Sequence, residues 1–160
     1  MEALVGLMHN RIAVLTEGKT EEEAFEKAEE FVRDTLVQEP YGFDYYQTLK
    51  ESGRYDDELK EYPSVIKYDS YIGKKLLLEM NIADHTRQDM WLGMAEEYKA
   101  KNDHAEYCNY LNIATSHSQH SIFCPDFSSM PIYDLISPFP KQYLKENYEN
   151  LYICGFDVHF

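Results

Sequence analysis

Thr20-Glu21-Glu22-Glu23-Ala24-Phe25-Glu26-Lys27-Ala28-Glu29-Glu30-Phe31-Val32-Arg33-Asp34-Thr35-Leu36 carries the clearest structural signal in the chain. Thr20 is a helix-capping residue, and Glu23 stands three positions on, as a capping box requires. Glu21 and Glu22 sit where the positive end of a helix dipole favours acids. Ala24, Phe25, Ala28, Phe31, Val32 and Leu36 then fall on one apolar stripe, with Glu22, Glu26, Glu29, Glu30 and Arg33 opposite. Just upstream, Leu4, Leu7, Met8, Ile12 and Leu15 recur at helical spacing, and Glu17-Gly18 supplies a stop. The spacing predicts a helix over 2–16, joined by Gly18-Lys19 to a helix over 20–36 as an antiparallel hairpin.

Downstream, Pro40 and Gly42 interrupt this texture. Short helices are expected at 43–51 and 55–61, the second ended by Pro63. Val65-Ile66-Lys67-Tyr68 alternates weakly and suits an extended piece. Tyr71 to Met80 reads as helical through Ile72, Leu76, Leu77 and Met80. A second hairpin is expected from 85–101 and 103–117, striped by Met90, Trp91, Met94, Ala95 and Tyr98 on one arm and Ala105, Cys108 and Leu111 on the other. Leu92-Gly93-Met94-Ala95-Glu96-Glu97-Tyr98 with Asn102-Asp103-His104-Ala105 resembles part of a tetratricopeptide repeat over roughly 25 residues. No second copy follows at a 34-residue period. The resemblance implies a helical hairpin.

After Gln119 four of the six prolines (Pro125, Pro131, Pro138 and Pro140) interleave with aromatic and aliphatic residues. The run is too apolar for a linker. It reads as an extended segment, with a short helix at 141–149 and an apolar end from Leu151 to Phe160. The expected architecture is therefore mostly α. A helical domain of antiparallel hairpins spans 1–119, and a Pro/aromatic-rich segment, 120–160, packs on that domain or on a partner.

The 160 residues hold 29 acids against 15 bases, a net charge of −14, which opposes broad neutralisation of nucleic-acid phosphates. Residues 17–34 hold eight acids and three bases, and 51–61 hold five and two, so an acidic nucleic-acid mimic is one reading. No apolar run approaches the roughly 18 residues of a membrane span. The start of the chain has neither a secretory signal nor a mitochondrial presequence pattern. Three widely spaced cysteines without a C-x-x-C suit a reducing intracellular compartment, whether cytoplasm or an organelle such as the mitochondrion.

Phosphate-cradling glycine motifs, H-E-x-x-H and G-x-S-x-G are all absent. His104, Cys108, His117, His120 and Cys124 could supply a tetrahedral zinc site, in the spacing H-x3-C-x8-H-x2-H-x3-C. That would make a small enzyme with a dispersed site the alternative reading. Cys124-Pro125-Asp126 could also set a thiol at a helix start, where its pKa would fall. The 14 tyrosines weigh more. Seven of them crowd 41–71, and tyrosine is enriched where a surface is half buried and half presented to a partner. The reading that follows is a non-catalytic accessory subunit or adaptor of a larger protein assembly, with no cofactor. Its expected contacts are Tyr41, Tyr45, Tyr46, Tyr55, Tyr62, Phe139, Tyr152, Phe156 and Phe160.

Overall fold

The computed structural model describes residues 9–38, 43–115, 121–127, 135, 146 and 150–159. About 60% of what is described is helical, as the sequence leads one to expect, but the helices surround a five-stranded mixed sheet. The helix expected over 2–16 is not formed where the chain is described. His9–Glu17 is a strand, β1. The apolar end is also a strand, Leu151–His159, called β5 here, and the two pair antiparallel along their whole length, from His9 opposite His159 to Glu17 opposite Leu151.

Burial on both faces explains the misreading. Ile12 and Val14 join Tyr152, Cys154, Phe156 and Val158 in one core cluster, while Ala13 and Leu15 join Leu151 and Ile153 in another. Strands covered on both sides show continuous apolar runs, and such a run does not separate a strand from a buried helix. The first expected hairpin is therefore replaced by a strand feeding a helix. Of the segment expected over 120–160, Leu151–His159 is the spine of the sheet, and most of the rest lies outside the described residues.

The helix after β1 follows its local signals. Glu21–Phe31 forms α1, with Thr20 Oγ1 accepting from the Glu23 amide at 3.1 Å and Glu23 accepting from the Lys19 amide at 2.9 Å. One π-helical turn, Val32–Leu36, extends it. Ala24, Ala28, Val32 and Leu36 cover the Ile12/Phe156 face of the sheet. The expected helix over 43–51 divides into a strand, Tyr45–Thr48 (β2), and one turn, Leu49–Ser52 (α2), which Thr48 and Glu51 close as a capping box. Asp56–Glu61 (α3) and Val65–Lys67 (β3) follow. β2 and β3 lie end to end along one edge of β5, and β1 occupies its other edge. Ile122–Phe123 (β4) adds a short parallel pairing to β1, giving the order β2-β5-β1-β4.

Tyr71–Ala100 is one helix of 30 residues, α4, without the break expected after Met80. No glycine or proline interrupts 74–92, so nothing there ends a helix. Its start is capped by Ser70, whose Oγ accepts from the Gly73 amide at 3.0 Å. Leu76, Leu77 and Met80 press on the second face of the sheet. Beyond them α4 runs beside His104–Thr115 (α5). Gln88 reaches the Ala114 carbonyl, and Trp91 and Tyr98 both stack on Tyr110, so these two helices run in opposite directions. Asn102, at φ 59°, makes the turn between them. Among the described residues no helix is long and apolar enough to cross a membrane. The helix expected at 141–149 lies outside the described residues apart from Glu146.

Candidate functional site

The strand period of two puts His9, Arg11, Ala13 and Leu15 on one face of β1, with Leu151, Ile153, Gly155, Asp157 and His159 beside them on β5. Under α4 this face is apolar. Towards the other end it turns polar, and α2 and α3 lie nearby. Asp157, with its side chain only 1% exposed, accepts from Ser52 Oγ at 2.6 Å and Tyr55 Oη at 3.3 Å. His9 Nδ1 lies 3.2 Å from the same carboxylate, and Arg54 Nε lies at 3.9 Å. Burial, and then the Asp157 charge, push the Tyr55 phenol well above its ordinary pKa. His159 pairs in turn with Asp44 at 2.9 Å, and its ring lies 5.1 Å from that of His9.

Arg11 is 8% exposed, deep for a guanidinium. Its Nη1 donates to Glu58 at 2.9 Å, but its Nη2 is buried with no hydrogen-bond partner among the described residues. Gly155 makes room beside it, since a Cβ there would stand 2.7 Å from Leu49 Cδ1 and 3.6 Å from Arg11 Nη2. On α4, Arg87 donates to Asn10 Oδ1 at 2.9 Å, to Ser121 Oγ at 2.7 Å and to the buried Asp84 carboxylate. Asp84 also accepts from the Ser121 amide at 2.8 Å and hydroxyl at 2.6 Å. Arg87 Nε, again buried, has no partner among the described residues.

Both arginines line one cavity of about 410 Å³ between β1, α3 and α4. Leu76, Met80 and Ala83 give it an apolar wall, and Glu58, Glu61 and Glu79 give it an acidic one. Tyr62 donates to Glu79 at 2.7 Å. Lys75 lies 2.5 Å from Glu61 and 3.9 Å from Glu79, one cation between two acids.

The residues expected to meet a partner are dispersed. Tyr41, Phe139 and Phe160 lie outside the described residues. Tyr45 is well exposed and stacks on His159. Tyr46 donates to Glu29 and packs edge-on against Phe156, and Tyr55 is committed to Asp157. Tyr62, Tyr152 and Phe156 are buried. The apolar end thus docks in its own sheet, because β5 inserts between β1 and the β2/β3 edge.

His104 and Cys108 are exposed on α5, while His117 and His120 lie outside the described residues. Among the described residues no three His, Cys, Asp or Glu side chains group as metal ligands. Cys124 departs from the lowered thiol pKa expected of it. Burial, followed by the nearby Asp126 charge, pushes it up to about 12, the opposite of an activated nucleophile. Arg11, Asp84, Arg87, Ser121 and Asp157 were not singled out by sequence. For two of them a signal existed: Arg11 and Asp157 are lone charges beside apolar runs, and they face each other across the ladder. No family model, curated protein or solved structure matches the chain.

Proposed function

We propose that the protein is a non-catalytic accessory subunit or adaptor that binds an amphipathic helix of another protein along the first three turns of α4. One observation carries this reading. Tyr71, Leu78 and Ile82 are 82%, 47% and 56% exposed, and at 3.6 residues per turn they fall within about 40° of one another round the helix. The strip is about 16 Å long and ends where His85 and Asp89 take over the same sector. It faces away from the Leu76/Leu77/Met80 side that holds the sheet. The lysines beside it are already matched within the chain, Lys74 to Asp69 at 3.6 Å and Lys75 to Glu61 at 2.5 Å, so the strip offers apolar contact without an unmatched charge. A second copy of the chain is a poor occupant, because each copy brings a net charge of −14. A groove-laid helix reads such anchors at spacings of three, four and seven.

Burying the exposed parts of these three side chains is worth about 1 kcal/mol apiece. The variant Tyr71→Ser/Leu78→Ser/Ile82→Ser should therefore lose about two orders of magnitude in partner affinity while keeping its circular-dichroism spectrum. The test is purification of the native complex followed by lysine-directed crosslinking, with crosslinks expected at Lys74 and Lys75. A wild-type chain that purifies alone refutes the reading, as does a partner retained by the triple variant.

A further inference from the structure

We infer that Tyr98 of α4 and Tyr110 of α5 form an oxidative modification site: under a one-electron oxidant their phenols couple into a dityrosine that staples the two helices together. The first observation is the stacking geometry. Trp91 and Tyr98 stand seven residues apart on α4, two turns or about 10.5 Å along its axis. Tyr110 fills the gap between them, with its ring centroid 5.7 Å from that of Trp91 and 5.2 Å from that of Tyr98. The planes are nearly parallel, at 21° and 12°, so the three rings make one column across the seam. The Lys101 ammonium lies 5.1 Å from the Tyr98 centroid.

The second observation is how the phenols are turned. Burial, followed by the neighbouring Tyr98 hydroxyl, pushes the Tyr110 phenol above its ordinary pKa, so the two hydroxyls lie at the same end of the stack. The ring carbons ortho to them lie there too, and these are the carbons that couple. Other tyrosines are placed differently. Tyr46, Tyr55 and Tyr62 give their hydroxyls to Glu29, Asp157 and Glu79, and among the described residues no other two tyrosine rings stack on each other. Tyr98 and Tyr110 are only half buried, which leaves them open to an oxidant. The seam also gains from a bond. Beyond Asp84, Ala95 of α4 and Ala114 of α5 are the only residues fully buried there among the described residues.

The step balances with hydrogen peroxide acting through a haem peroxidase. Each phenol gives up one electron and its hydroxyl proton and becomes a phenoxyl radical. The two radicals join through one ortho carbon each, and the hydrogens on those carbons move to the oxygens, restoring two phenols. Peroxide takes up the two electrons and two protons and leaves as two waters. The chain is lighter by two hydrogen atoms. The column lies beyond Ile82 on α4, so this site is independent of the partner strip proposed above.

The test is treatment of the dilute, folded full chain with a haem peroxidase and a limiting amount of hydrogen peroxide. Dityrosine fluorescence should appear in material that stays monomeric on a denaturing gel. Mass spectrometry of the digest should place the link between Tyr98 and Tyr110. Tyr98→Phe and Tyr110→Phe each keep a ring in the column but have no hydroxyl to oxidise, so either should abolish the monomer fluorescence. Closing a loop of about a dozen residues should raise the melting temperature of the oxidised wild-type chain by roughly 5–10 °C, and that of the treated variants not at all. Dityrosine found only in dimers, or mapped to exposed Tyr45 or Tyr71, overturns the proposal, as does oxidation confined to methionine. A cross-linked chain that melts where the untreated chain does overturns the staple.

Discussion

Phe156→Ala removes a fully buried ring from the middle of β5. In the structure this ring stacks on Phe25 with centroids 5.1 Å apart and meets Tyr46 edge-on at 6.1 Å. Truncating a buried phenylalanine typically costs about 3–5 kcal/mol, including the cavity left behind. The lost aromatic pairing adds about 0.5–1.5 kcal/mol. A figure of about 4 kcal/mol is a large share of the roughly 5–15 kcal/mol that holds a domain together. At about 3 °C per kcal/mol for a chain of this size, the melting temperature should fall by about 12 °C. Circular dichroism during heating gives that number, and urea titration should show a lower midpoint with an unchanged slope. Tyr71→Ala, at an 82% exposed position, serves as the control and should stay within about 0.5 kcal/mol. If Phe156→Ala melts within about 1 kcal/mol of wild type, the residue is not in the core, and the assignment of 151–159 to the sheet fails with it.

Asp84→Ala leaves the Arg87 guanidinium without its counter-ion and the Ser121 amide without its acceptor, at a cost of about 3–5 kcal/mol in urea unfolding. A loss under about 1 kcal/mol would show that solvent takes over the Asp84 role. The thiols give a pH prediction. Burial pushes Cys124 and Cys154 up from 9.0 to about 12, so both stay protonated in the folded chain where unfolded thiols have ionised. The unfolded state therefore releases its protons first, and stability should fall as pH rises from about 9 towards 12. At pH 8 a thiol reagent should label exposed Cys108 quickly and the other two only on unfolding; three equally fast thiols would contradict their burial. Gly155→Ala presses a methyl group to 2.7 Å from Leu49 Cδ1 and should destabilise by about 1–3 kcal/mol in the same urea assay. Neutral behaviour would mean that Leu49 moves aside freely.

What the sequence shows plainly is whatever one segment decides by itself. The Thr20/Glu23 cap, the apolar stripe behind it and the Asn102-Asp103 turn between α4 and α5 need no distant neighbour, and each can be read from a few residues. β1 and β5 are different. Their identity depends on what covers both faces: α1 adjoins β1 in sequence, but α4 lies about 50 positions from either strand. Ile12 and Leu15 meet a helical spacing by coincidence, because a doubly buried strand places apolar residues at nearly every position. The cavity was hidden for a related reason. Its polar members come from Asn10, Glu58, Arg87 and Ser121, which no local motif links, and only the fold brings them together. The tyrosine surplus pointed to a real feature but scattered in its use: Tyr62, Tyr68 and Tyr152 are core, whereas Tyr71 stands in solvent.

The β1–β5 ladder has a consequence for how the chain comes into being. Its closest partners, Glu17 and Leu151, are separated by 151 − 17 = 134 positions, and its farthest by more. On a ribosome adding about 5–20 residues each second, β1 emerges roughly 7–27 s before the strand that covers it has been made. In that interval β4 can offer it only the Ala13–Val14 pairing, and only once residue 123 has emerged. Ile12-Ala13-Val14-Leu15 thus spends many seconds with the edge that β5 will pair left open, the kind of edge that seeks other chains. Arg11 at one end and Glu17 at the other are charges suited to discouraging such pairing. The residue that later lines the cavity thus helps to guard the nascent strand.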